Sequence, residues 1–154
     1  ILFPSTVTSS ASVILMPSVA EMQALGHHKK IRYITRTTCT ACILLGSLCT
    51  TVFYFGGNFA GTILFHNTDA GLYIRTLSFI CPFLYTNIAL TSILNGLGKT
   101  GTTLVHSVLG ILLRISFVIF AIPVLGIRGY LYGLLLSEIL LSLLHIYALY
   151  HMEF

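Results

Sequence analysis

Apolar residues run along this chain in blocks too long for buried strands, such as "SFICPFLYTNIALTSIL" at 78–94. A helix needs about 20 apolar residues to cross the hydrocarbon core of a bilayer. That ruler predicts five spans, at about 1–22, 37–55, 72–95, 103–122 and 130–150, and hence an all-α, polytopic transmembrane helix bundle. The first span is unusual, because Ser5, Thr6, Thr8, Ser9, Ser10 and Ser12 make it too polar to face lipid all round. It is expected to face a protein interior or a wet cavity, bent by Pro4 and Pro17. Pro82 interrupts the third span and is expected to kink it. Between Gly56-Gly57 and "HNTDAG", the stretch "NFAGTILF" is too short to cross and too apolar for open water, which predicts an interfacial half-helix. No repeat of solenoid period is visible.

Composition narrows the class. Of 154 residues, 56% are hydrophobic and 8% charged, against about 25% charged in a soluble domain; the mean hydropathy is +0.94. This is the composition of a membrane protein. No Met and no basic region precede the first apolar run, so it does not read as a secretory signal; it reads as a fragment beginning in or just before a helix. The net charge of +4 does not point to nucleic acid, because the basic residues mostly share one short loop. That loop, "GHHKKIRYITR", holds Lys29, Lys30, Arg32 and Arg36 and is placed in the cytoplasm. Alternation then puts "GGNFAGTILFHNTDAG" outside, "GLGKTG" inside, "PVLGIRG" outside with Arg128 as a mild exception, and "HMEF" inside. Cys39, Cys42, Cys49 and Cys81 all lie in apolar runs and read as small packing residues rather than a disulfide framework.

Charges at lipid depth are costly and face a bundle interior or water. Arg114 lies about eleven residues into its span and Glu138 about eight into the next, antiparallel one, so both fall near mid-membrane and can pair. The pair is either a cavity lining that attracts an anionic substrate group, with Glu138 as counter-ion, or a structural bridge fixing helix register. Position alone does not separate the two. Glu21 reads as an exposed helix end paired with Lys29 or Lys30 before it reads as a gate. Asn87 and Asn95 read as interhelical hydrogen-bonding residues or pathway linings. For His106 and His145 a proton shuttle is weighed against hydrogen-bonded packing, which is the default. His27 and His28 read as part of a solvated loop near anionic headgroups, and Gly129 and Gly133, with GxxxG spacing, as a close helix contact.

"NGLGKTG", Asn95 to Gly101, looks like a phosphate-binding loop, but Ile93 stands where a Walker A motif needs its first glycine and no βαβ setting surrounds it. No nucleophilic triad or metal-ligand cluster can be assembled. The expectation is therefore a protein that is not an enzyme, with no cofactor and no metal.

Read together, "LMPSVAEMQALGHHKKIRYITR", "LYIRTLSFICPFLYTNIALTSILNGLGKTG" and "IPVLGIRGYLYGLLLSE" resemble the polysaccharide-type flippases of the multidrug/oligosaccharidyl-lipid/polysaccharide exporter superfamily, the stage V sporulation protein B group. The resemblance covers almost the whole chain. A Pro-then-Glu pattern at the end of one family span is matched by Pro17 and Glu21, and a Gly-x-Gly-Lys-Thr turn by Gly96, Gly98, Lys99 and Thr100. Family members have twelve to fourteen helices in two pseudo-symmetric lobes around a central cavity and alternate between inward-open and outward-open states. The resemblance aligns this chain with helices eight to twelve, as part of the C-terminal lobe, half of a two-lobe exporter fold. The N-terminal lobe is then a missing partner.

The function so implied is transport of a lipid-linked oligosaccharide or cell-wall polysaccharide precursor across a bacterial plasma membrane, with membrane lipids and the lipid-linked saccharide as partners and no nucleic acid. Arg114, Glu138 and Asn87 become substrate-cavity candidates, Pro17, Glu21 and Pro82 gating or hinge candidates, and Gly98, Lys99 and Thr100 a cytoplasmic turn. The sodium-site residues of the lipid II flippases are not matched in "HSVLGILLRISFVIF". The rival branch, multidrug and toxic compound extrusion, tends to read Gly-Asp-Thr at that turn. Two alternatives remain: a cation-coupled multidrug exporter of that branch, and a non-transporting, truncated membrane scaffold.

Overall fold

A computed structural model describes residues 2–64 and 68–151. Seven helices account for nearly all of them: α1 (Leu2–Ala24), α2 (His28–Leu64), α3 (Thr68–Ser78), α4 (Cys81–Gly96), α5 (Thr100–Phe120), α6 (Ile122–Leu125) and α7 (Ile127–Tyr150). Among the described residues there is no strand. Among the described residues, three helices are long and apolar enough to cross a membrane: α2 over His28–Gly57, α5 and α7; α3 and α4 make a fourth span if their bent pair is counted as one. α1 does not meet that test over its described residues, because its run of hydroxyls dilutes its apolar character.

α2 is the main departure from the expected spans. Its 37 residues reach about 55 Å at helical rise, well beyond a hydrocarbon core of about 30 Å. Both the basic loop and most of the presumed interfacial half-helix are absorbed into it, because no proline stands between His28 and Leu64 to stop the ladder. Two of its Thr hydroxyls fold back onto the helix, Thr40 onto the Arg36 carbonyl and Thr51 onto the Ser47 carbonyl at 2.9 Å each, so these two stay satisfied against lipid. The end of that stretch, Phe65 to Asn67, lies outside the described residues, as do Met152 to Phe154 and the side chain of Pro4.

α4 is the axis of the bundle, packed on α1, α2, α5 and α7. Its Leu90, Ile93 and Leu94 form one core with Val19, Ile31 and Leu149; its Cys81, Tyr85 and Ala89 form a second with Cys42. All four cysteines are free. α1 lies along α4 through Ser5, Thr8, Ser12, Leu15, Val19 and Met22, all buried or half-buried. Their spacing of three and four residues is the seam of a helix pair crossing at a shallow angle. The hydroxyl face of α1 is thus divided: Ser5, Thr8 and Ser12 pack inward, while Thr6, Ser9 and Ser10 remain exposed. Pro17 lies inside one continuous helix.

The kink expected at Pro82 is a break of 45° between α3 and α4. Proline has no N–H to offer the carbonyl four residues back, which is that of Ser78. The Thr50 hydroxyl of α2 takes that place, 2.8 Å from the Ser78 oxygen and 2.9 Å from its own Gly46 carbonyl. Pro82 itself stands in the first turn of α4, where a missing N–H costs nothing.

Candidate functional site

Two antiparallel apolar helices, α5 and α7, come close because glycines leave room. A Cβ at Gly110 would stand 2.9 Å from Leu141 Cδ1, and one at Gly129 would stand 2.7 Å from the Ala121 carbonyl oxygen; at Gly133 it would strike the Phe117 side chain. The GxxxG pair is a packing contact. This close approach sets Arg114 of α5 against Ser137 and Glu138 of α7.

Arg114 pairs through its Nη2 with the Glu138 carboxylate Oε1, and its Nε donates to Ser137 Oγ at 2.8 Å. Ser137 passes its own proton to the Leu134 carbonyl at 2.8 Å. From α4, Asn87 Nδ2 donates to the second carboxylate oxygen at 2.7 Å and to the Glu138 main-chain carbonyl at 2.9 Å. Glu138 is therefore held on both oxygens by two different helices. Its side chain is 8% exposed, whereas that of Arg114 keeps 34% of its surface open. Among the described residues no other ion pair forms. The buried Asn87 Oδ1 has no protein donor. The three cavity candidates of the sequence meet at one place, and Ser137, not foreseen there, joins them.

The remaining candidates lie elsewhere. Glu21 is exposed at the end of α1, and no ion pair joins it to Lys29 or Lys30; all three are exposed, where water leaves a pair little to gain. Gly98 has φ of 75° and ends α4: the Lys99 N–H reaches the Leu94 carbonyl at 2.9 Å and the Gly98 N–H the Asn95 carbonyl at 3.0 Å, the glycine-terminated helix stop. Lys99 and Thr100 open α5 in the exposed turn beyond. Asn95 accepts from the Thr103 hydroxyl across that turn at 2.7 Å.

His106 of α5 and His145 of α7 stand with ring centroids 5.0 Å apart, and neither Nδ1 has a partner in the protein. The hydrogen-bonded packing expected of them does not form. A legible signal was missed here: Glu138, Ser142 and His145 share one face of α7, and all three are buried. Arg32 and Arg36 overhang a cleft of about 410 Å³ floored by Leu90, Ile146 and Leu149.

No family model matches the chain. It is 23% identical over 144 residues to "Stage V sporulation protein B" of Bacillus subtilis (strain 168), an alignment that takes in 92% of this chain and 28% of that protein. The chain therefore spans under a third of the length of this curated relative. No solved structure matches.

Proposed function

We propose that these helices form part of one lobe of a flippase that carries a lipid-linked oligosaccharide or cell-wall polysaccharide precursor across a bacterial plasma membrane. The observation that carries this reading is the Arg114–Glu138–Asn87 cluster, charged and hydrogen-bonded in the middle of apolar helices. The distant likeness to a Bacillus sporulation protein supports it. In this reading the five spans are α1, α2, the bent pair α3–α4, α5 and α7, with the Lys99 turn in the cytoplasm.

The head of such a substrate carries phosphate, and a guanidinium binds phosphate through charge-assisted hydrogen bonds. Arg114 is both anchored and available, since one side of it is engaged by Glu138 and Ser137 and a third of its surface is open. The Glu138 counter-charge weakens its grip, so a phosphate is held and then released as the lobes rock. The break before Pro82 supplies a flexing point between α3 and α4. Engagement of Glu138 by Arg114 and Asn87 leaves no free carboxylate there for an organic cation, which favours this reading over the drug exporter.

The test is complementation of a flippase-deficient strain by the complete protein. Arg114→Ala is expected to abolish rescue at normal membrane abundance, and Arg114→Lys to restore part of it. Full rescue by Arg114→Ala rejects the role.

A further inference from the structure

The cluster at Glu138 continues toward the Lys99 end of the bundle as a column of buried polar groups. On α7 it runs through Ser142 to His145, and on α5 it ends at His106 and Thr103, all buried. Seven residues, two helical turns, separate Glu138 from His145, and eight separate Arg114 from His106, so each histidine lies about 10–12 Å along its helix from the ion pair. His145 is 2% exposed, yet neither of its ring nitrogens has a partner in the protein, and the same holds for Nδ1 of His106. A buried polar group left unpaired is expensive. Two of these three nitrogens belong to one ring, and the two rings stand against each other across the α5–α7 pair.

Access lies one turn away. Leu94, Lys99, Thr102, Ala148 and His151 line a cavity of about 260 Å³ at the end of α4, α5 and α7. Thr102 precedes His106 by one turn, and Ala148 follows His145 by about one. Few charges surround the pair, although Arg32 and Arg36 of α2 overhang Ile146 and Leu149, beside His145. α4, the other helix against both α5 and α7 here, has no acidic or basic side chain and presents Asn87 and Asn95; α5 carries Arg114 alone. α7 carries Glu138, and Arg128 at its far end. Lys99 and His151 stand at the mouth.

We infer that His106 and His145 form a proton-binding site, filled from the Lys99 end, whose charge governs the Arg114–Glu138 pair. This rests on the reading of that pair as the working site of a transporter. A hydronium ion in the cavity gives its proton to a ring-nitrogen lone pair; an N–H bond forms, an O–H bond breaks and water remains. Two imidazolium rings at this separation repel, so the pair holds one proton between them. The resulting positive charge attracts the Glu138 carboxylate and repels the Arg114 guanidinium. It thereby loosens the ion pair and frees Arg114 for an anionic group.

The experiment is nitrogen-15 solid-state magnetic resonance of the complete protein, labelled in histidine and arginine, in phosphatidylethanolamine–phosphatidylglycerol vesicles. Signals are assigned by loss in His106→Gln and His145→Gln. On acidification over the range from about pH 8 to 4 the two rings are expected to shift together as one shared proton binds, and the Arg114 signals to follow. In His145→Gln the His106 and Arg114 responses are expected to disappear. Rings that do not respond in the unsubstituted protein over that range overturn the site, as does a His106 response unaltered by His145→Gln. An Arg114 signal that ignores a responding pair overturns the coupling. No transport is measured, so failure here leaves the flippase reading standing, and full rescue by Arg114→Ala removes that reading without touching the titration.

Discussion

Asn87 on α4 and Glu138 on α7, 51 positions apart, are joined twice, once through the carboxylate and once through the main-chain carbonyl of Glu138. A single amide therefore pins both the side chain and the backbone of the residue that holds Arg114. Asn87→Leu is expected to lower the stability of the detergent-solubilised protein by about 1–3 kcal/mol, read as a fall in thermal midpoint. Asn87→Asp places a second carboxylate against the first and is expected to cost more than Asn87→Leu at neutral pH. An aspartate variant as stable as the native protein would show that the contact is not made.

Close helix approach at glycine gives a graded expectation. At Gly96 a Cβ would stand 2.6 Å from the Met16 carbonyl oxygen, a backbone atom, whereas at Gly110 it would meet the end of the Leu141 side chain at 2.9 Å. A leucine tip can turn aside and a helix backbone cannot. Gly96→Ala is expected to destabilise by about 1–3 kcal/mol, and Gly110→Ala by less, in the same thermal assay.

The carbonyl freed by Pro82 offers a third test. Thr50→Val removes the hydroxyl shared by the Ser78 and Gly46 carbonyls and leaves the Ser78 oxygen without that donor at the break. A loss of about 1–3 kcal/mol is expected, with Thr50→Ser close to native. Loss in Thr50→Ser with none in Thr50→Val would assign the effect to the methyl group instead.

At the turn resembling a phosphate-binding loop, the two glycines after Leu97 should behave differently. Gly98 sits at positive φ with open space around it, and Gly101 is helical with open space too. Gly98→Ala is expected to cost about 1 kcal/mol through backbone strain alone, whereas Gly101→Ala is expected to be neutral or slightly stabilising. Matching effects at both positions would mean that Gly98 is not a helix stop.

Much of the helical layout was legible because its causes are local. A lipid-length apolar run, a proline just after a bend at Ser78–Cys81 and a glycine after Leu97 each act through neighbours in the chain. The reach of α2 was not legible. "GHHKKIRYITR" reads as a loop by polarity, yet after the turn at Gly26 nothing in it opposes a helix, and burial of Ile31 against α4 ties that end down. Likewise Arg114 and Glu138 were identifiable as costly charges at matching depth, but Ser137 is an ordinary serine until α5 is laid beside it.

The order of amino acids by itself determined that this is a helical membrane protein, that its chain breaks beside Pro82, and that its charges at lipid depth need partners; these follow from transfer energies and backbone chemistry, which each segment carries alone. Only the tertiary structure decided which partners they take. The Glu138 carboxylate is satisfied by residues 24 and 51 positions away, and His106 faces His145 without a hydrogen bond between their Nδ1 atoms. Such contacts depend on the rotation and spacing of packed helices, which arise from side chains interlocking across several segments at once.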